Sequence, residues 1–127
     1  MNNLQIIRDI VNSYGKRLSF AYLFGSQARG EATAASDLDI AIQCADADPG
    51  NRFTLKLDLN ADLCRALGRN DVDILILNSA PILLQEEVVR HGILLYAHDP
   101  AALIEYEAGI LHRGIDFRTQ RLAVMGA

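Results

Sequence analysis

The run Leu18-Ser19-Phe20-Ala21-Tyr22-Leu23-Phe24, nearly all apolar and bounded by Gly15 and Gly25, constrains this chain most. A short apolar stretch between two glycines is the signature of a buried strand. A buried strand obliges the rest of the chain to supply its neighbours and its cover. The material is there: half of the 127 residues are apolar, enough for one core in a single domain and too many for a disordered ground state.

The flanking segments read as helices and further strands. Leu4, Ile7, Val11 and Tyr14 recur at helical spacing, predicting an amphipathic helix over 3–14 that stops at Gly15. Residues 25–36 are rich in Gly, Ala, Ser and Thr and read as a turn, with room for one helical turn after Ser26. A second strand is predicted over 37–43, with Leu38, Ile40 and Ile42 on one face and Asp37, Asp39, Ala41 and Gln43 on the other. The cluster Asp46–Asn51 reads as a turn. A helix follows, carrying Phe53, Leu57, Leu59, Leu63, Cys64 and Leu67 and ending at Gly68. Val72 to Leu77 is a third strand, Pro81 opens a helix to about Arg90, and Ile93 to Tyr96 is a fourth strand. Pro100 opens a last helix, with candidate breaks at Gly109 and Gly114. The order predicts an α/β (α+β) fold, a mixed sheet with helices packed on it, over residues 1–97. A helical extension over 98–127 belongs to the same domain and is a candidate partner-docking segment.

Composition excludes several function classes. Twelve basic against sixteen acidic residues leave a net charge of −4, so no global attraction to nucleic acid or anionic lipid is expected. Trp is absent and aromatics are only 6%, too few for a base-stacking platform. No apolar run reaches membrane-spanning length, and the N-terminus lacks the pattern of a secretory signal. Cys44 and Cys64 form no CxxC pair and are expected to be reduced core thiols, which places the protein in the cytoplasm. His91, His98 and His112 lack metal-ligand spacing, and Glu86-Glu87 reads as a solvated helix face. The helix after Pro100 carries Leu103, Tyr106, Ile110 and Leu111 on a partly apolar face, with Arg113, Arg118 and Arg121 making its end basic; it either packs on the sheet or docks a partner.

Three features carry candidate chemistry. Gly25-Ser26 ends the first strand, where Ser26 either caps a short helix or turns its hydroxyl and the local N–H groups toward an anion. Arg29 follows in the same turn, able to reach a phosphate or simply to hold the loop. Ten residues separate Ser26 from Asp37, and Asp37-x-Asp39 puts two carboxylates on one strand face. They are either solvated residues of an edge strand or oxygen ligands for a hard cation; the acidic run from Asp37 to Asp48 leaves both open, since a concentrated negative patch usually faces solvent and also suits a divalent cation. Asp73 opens the third strand, with Asp71 as its competitor, one of the two marking only the turn. A phosphate-cradling turn, a carboxylate pair and a third carboxylate on a later strand are the parts for metal-assisted transfer at phosphorus.

The stretches Leu23-Phe24-Gly25-Ser26-Gln27-Ala28-Arg29-Gly30, Ser36-Asp37-Leu38-Asp39-Ile40 and Val72-Asp73-Ile74 resemble the minimal nucleotidyltransferase (MNT) family of the DNA polymerase β-like superfamily. The resemblance runs from about Phe20 to Tyr96. It implies the polymerase β-like fold, ATP as co-substrate and two Mg²⁺ ions, with Mn²⁺ as an alternative. It further implies that Asp37 and Asp39 bind both metals, and that Asp73 binds the metal on the nucleophile side and helps deprotonate the acceptor. Ser26 and the Gly25 backbone would contact the β- and γ-phosphates; Arg29 matches the motif without an assigned role. Many small members are similar to antitoxins paired with HEPN toxins, transferring AMP from ATP to a toxin tyrosine within a hetero-oligomer. The rival readings are a non-enzymatic antitoxin that occludes the toxin, and a nucleotidyltransferase acting on a small molecule or nucleic acid. About thirty residues (98–127) remain after the site is built, too few to enclose a second substrate, which favours a macromolecular acceptor.

Overall fold

The computed structural model describes residues 3–30 and 37–124. Strands β1 (Leu18–Phe24), β2 (Leu38–Cys44), β3 (Val72–Ile76) and β4 (Ile93–Ala97) form one mixed sheet in the order β3-β2-β1-β4. β1 lies antiparallel to both β2 and β4, whereas β2 and β3 run parallel. The apolar run at 18–24 is therefore an inner strand, which explains why five of its seven residues are buried.

The helices are α1 (Asn3–Asn12), α2 (Ser26–Arg29), α3 (Pro49–Leu67), α4 (Ile82–His91) and α5 (Pro100–Val124). They cover the two faces of the sheet, and the alternation of β2 decides which side chains meet which layer. Leu38, Ile40, Ile42 and Cys44 join Ile7 and Val11 of α1 and Leu55, Leu59 and Leu63 of α3 in one core. Fully burying each such Leu or Ile contributes about 1.5–3 kcal/mol. On the opposite face Phe20, Tyr22 and Ala41 join Leu77, Val88 of α4 and Leu103 of α5. Tyr106 of α5 sets its ring 4.6 Å from that of Phe20. The buried Tyr22 hydroxyl donates to the Glu107 carboxylate at 2.6 Å. That burial and that bond both hold the Tyr22 proton on, raising its pKa.

The mixed sheet with flanking helices agrees with the sequence reading, and several local expectations are corrected. The first helix ends at Asn12 and a 3-10 turn over Gly15–Arg17 leads into β1. β2 begins at Leu38 and includes Cys44. The second half of the predicted turn at Asp46–Asn51 is the start of α3: Asp48 caps it by accepting the Asn51 N–H, and Pro49 takes the first helical position, where no N–H is needed. The buried stripe of α3 is Leu55, Leu59 and Leu63, while Phe53 and Leu57 face outward, 56% and 52% exposed. β3 stops at Ile76 because Leu77 opens a 3-10 turn, from which the Asn78 side chain bonds both the N–H and the carbonyl of Cys44. α5 runs through Gly109 and Gly114 without a break. Gly114 is where the buried Glu86 carboxylate presses against α5, so Glu86 is no solvated residue. Its Oε1 accepts from Arg118 and Arg90, and the Arg118 guanidinium holds the carboxyl below the ordinary glutamate range. Cys44 is buried and Cys64 half-buried, both as free thiols. Among the described residues no helix is long and apolar enough to cross a membrane.

Candidate active site

The sheet register assembles the site. Antiparallel pairing sets Phe24, the last residue of β1, opposite Asp39, and parallel pairing sets Asp39 opposite Asp73. Partners in register present their side chains on the same face. That face belongs to the α4–α5 layer, because Ala41 and Leu75, two residues farther along each strand, pack there. Asp39 and Asp73 thus stand one strand spacing apart, about 4.8 Å between backbones. Asp73 lies on an edge strand and is exposed; Asp39, one strand inward, is half-buried. Asp37 is exposed and immediately precedes β2.

Gly25 explains how Asp39 fits. It leaves β1 with φ +73° and ψ −153°, a conformation that L side chains rarely adopt. A Cβ built on it would lie 2.5 Å from Asp39 Oδ2, so the carboxylate occupies the space a side chain would need. The glycine thereby brings the strand-to-helix corner directly against the acid. Gly25 itself is the N-cap of α2 and Ser26 is the first helical residue, which corrects the reading of Ser26 as the cap. Gly30 closes this single turn in the left-handed conformation. The side chain of Arg29 and the whole of 31–36 lie outside the described residues.

The competition between Asp71 and Asp73 is resolved by geometry. The Asp71 carboxylate takes two bonds from Arg69, from Nε and, at 2.8 Å, from Nη2, and the guanidinium lowers its pKa. Its main-chain carbonyl accepts the Leu38 N–H at 3.0 Å, at the point where the parallel pairing begins. Asp71 therefore marks the turn, and Asp73 is the acid on the site face. This Arg69–Asp71 fork was not foreseen; the Arg-x-Asp spacing directly before a strand was its one trace in the sequence.

The remaining acids do not join. Asp46 and Asp48 sit beyond the other end of β2, where Asp46 accepts from the Asp48 N–H and from the Asn51 side chain. A cavity of about 500 Å³ opens at that same distant end, lined by Lys16, Cys44, Asp46 and Arg52 among others. His91 and His112 each lie beside an acid one helical turn away, Glu87 and Asp116. Among the described residues no three His, Cys, Asp or Glu side chains converge closely enough to hold an ion by themselves. Asp39 and Asp73 are instead a partial set. An oxygen-only pair with open positions suits a hard cation that takes its other ligands from a polyphosphate.

The family model for polymerase beta nucleotidyltransferases matches residues 5–101. A curated relative, the protein adenylyltransferase MntA of Shewanella oneidensis, is 34% identical over 89 residues. That alignment takes in 70% of this chain and 58% of the relative, so the chain spans under two-thirds of the relative's length. A solved toxin–antitoxin structure with AMP-PNP superposes with a TM-score of 0.76 at 28% identity, covering 99% of this chain and 97% of that one. A second, the tri-AMPylated Shewanella oneidensis HEPN toxin in complex with its MNT antitoxin, matches with a TM-score of 0.71 at 26% identity, covering 98% and 93%. The matched region contains the strand-end glycine, the in-register aspartates and the sheet that pairs them: the chain belongs to the polymerase beta nucleotidyltransferase family.

Proposed function

We propose that this protein is an antitoxin adenylyltransferase that moves AMP from ATP onto a tyrosine hydroxyl of a cognate HEPN toxin, silencing it within a hetero-oligomer. The observation that carries the reading is the register pairing of Asp39 with Asp73 beside the Gly25–Ser26 corner. A member that only occluded its toxin would have no need of both acids. The curated relative's activity and the AMPylated toxin of the neighbouring complex support AMP as the transferred group and a HEPN toxin as the acceptor. The neighbour with AMP-PNP supports ATP as the donor, and an ATP-dependent reaction belongs in the cytoplasm.

In this reaction the tyrosine oxygen attacks the α-phosphorus and the bond to the α–β bridging oxygen breaks. Pyrophosphate leaves and the hydroxyl proton passes to the Asp73 carboxylate. A tyrosine with a pKa of about 10 is protonated at neutral pH, so a base at the point of attack is required. Asp73, exposed on an edge strand, is open to an acceptor that arrives on another protein. Asp37 and Asp39 would hold two Mg²⁺ ions, or Mn²⁺ in their place, with Asp73 sharing the one on the acceptor side. The ions would supply positive charge against the phosphate oxygens. Gly25 N–H and the Ser26 hydroxyl would receive the β- and γ-phosphates, with Arg29 in the same turn. Beyond that one proton acceptor, the arrangement asks positioning and charge of the protein.

Incubation with ATP, Mg²⁺ and the HEPN protein encoded beside it, followed by intact mass measurement, tests the reading. Mass increases in AMP-sized steps on the partner are expected. A stable complex without any mass change would replace it with occlusion, and labelling of an aminoglycoside or a nucleic acid end instead would replace the acceptor.

A further inference from the structure

Nothing in the proposed chemistry uses Arg69, yet it grips Asp71, the acid two residues before Asp73. We infer that Arg69 is a positioning residue for adenylyl transfer, holding the entry to β3 so that Asp73 stays in register with Asp39. The inference rests on the adenylyltransferase reading above and adds to it a residue outside the family motif.

The argument follows the covalent chain. Arg69 lies between the end of α3 and β3, and its planar guanidinium grips both oxygens of Asp71, two residues on. Such a fork fixes orientation as well as distance, which a single point charge does not. Asp71 in turn gives its carbonyl to the Leu38 N–H, the contact at which β2 and β3 begin to pair. The next residue pair is Leu38 with Val72 and the one after is Asp39 with Asp73. One residue, Val72, therefore lies between the fork and the reacting carboxylate. β3 is an edge strand, paired on one side only, so its near end depends on what anchors the loop feeding it. The Asn60 side chain adds a second tie from α3, donating to the Val72 carbonyl at 2.7 Å. The guanidinium is only about a quarter exposed, so solvent competes weakly for the fork.

A positioning role for Asp73 predicts a specific kinetic signature. Losing the fork should displace the acceptor-side acid while the triphosphate corner at Gly25–Ser26, on the other side of β2, is untouched. Arg69→Ala and Asp71→Asn should each lower kcat for AMP transfer to the toxin about 10- to 100-fold, with KM for ATP within about threefold of wild type. Because both act through one fork, the double variant should be no slower than the slower single one. Arg69→Lys, which keeps the charge and loses the fork, should recover only a small part of the rate. Amide hydrogen exchange at Leu38, followed in the same proteins, should quicken in Arg69→Ala. Effects that multiply in the double variant, a rise in KM at constant kcat, or full rescue by Lys would overturn the inference. So would quickened exchange with an unchanged rate. A wild-type protein that transfers no AMP sinks the functional reading instead, and unchanged Leu38 exchange in Arg69→Ala would then sink the anchoring role independently.

Discussion

Replacing Gly25 by alanine tests the site at its tightest point. The added Cβ would lie 2.5 Å from Asp39 Oδ2, whereas ordinary contact begins at 3.4 Å. The carboxylate, or the corner opposite it, must move by roughly 0.9 Å, and displacements of about 1 Å at a reacting centre cost on the order of 100-fold in rate. The backbone adds its own penalty. With φ +73° and ψ −153°, alanine is strained by about 1–3 kcal/mol. Gly15 separates the two effects. It has φ +57° and open space around its Cβ position, and it lies before β1, at the opposite end of that strand from Gly25, so Gly15→Ala should cost about 1–2 kcal/mol of stability and none of the rate. The assay is the initial rate of AMP transfer, with thermal melting of both variants alongside. Gly25→Ala should be about 100-fold slower than Gly15→Ala at temperatures where both are folded. If the two transfer AMP at comparable rates, the Gly25–Asp39 contact has no part in the chemistry and the argument for the site's geometry fails.

Asp73→Asn should abolish transfer while leaving the melting temperature unchanged or slightly raised, since it removes one of two acids facing each other in register, a pairing that costs about 0.2–1 kcal/mol; intact mass and calorimetry check the two halves. In α5 the two interior glycines should respond with opposite sign. Gly109→Ala, with only the Arg113 side chain near, should stabilise by about 0.8–1 kcal/mol, whereas Gly114→Ala, whose Cβ would run into the Glu86 carboxylate, should destabilise by about 1–3 kcal/mol in denaturant titration. Glu86 also sets an acid dependence. Its folded pKa is lowered, chiefly by the Arg118 bond, so its stabilisation is fully present above the ordinary glutamate value of 4.5 and is lost as pH falls below it. Melting temperature measured from pH 6 down to 3 should fall less steeply in Glu86→Gln, and an identical slope would show that the pair contributes nothing.

What the sequence disclosed and what it withheld divide along a physical line. Patterns with a short period were legible: the apolar run of β1, the alternation of β2 and the glycine stops each report on a few consecutive residues, and they suffice for the mixed sheet and for a carboxylate pair on one face. The register between strands was not legible, because it depends on which residues of distant segments come opposite one another. Asp39 and Asp73 are thirty-four residues apart and meet only through the parallel pairing of β2 with β3. For the same reason Asp71 and Asp73 competed on equal terms until the fork from Arg69 took one of them. Glu86 was misread because a helical acid is normally solvated; its burial is set by Arg118, thirty-two residues later, and by a glycine that leaves space for it. The acidic run from Asp37 to Asp48 shows the opposite case. Adjacent in sequence, its members are parted by the length of β2, because a strand carries its two ends about 3.3 Å farther apart with every residue. Closeness along the chain thus overstated one acidic cluster and hid another, and only the second faces the corner where a triphosphate would bind.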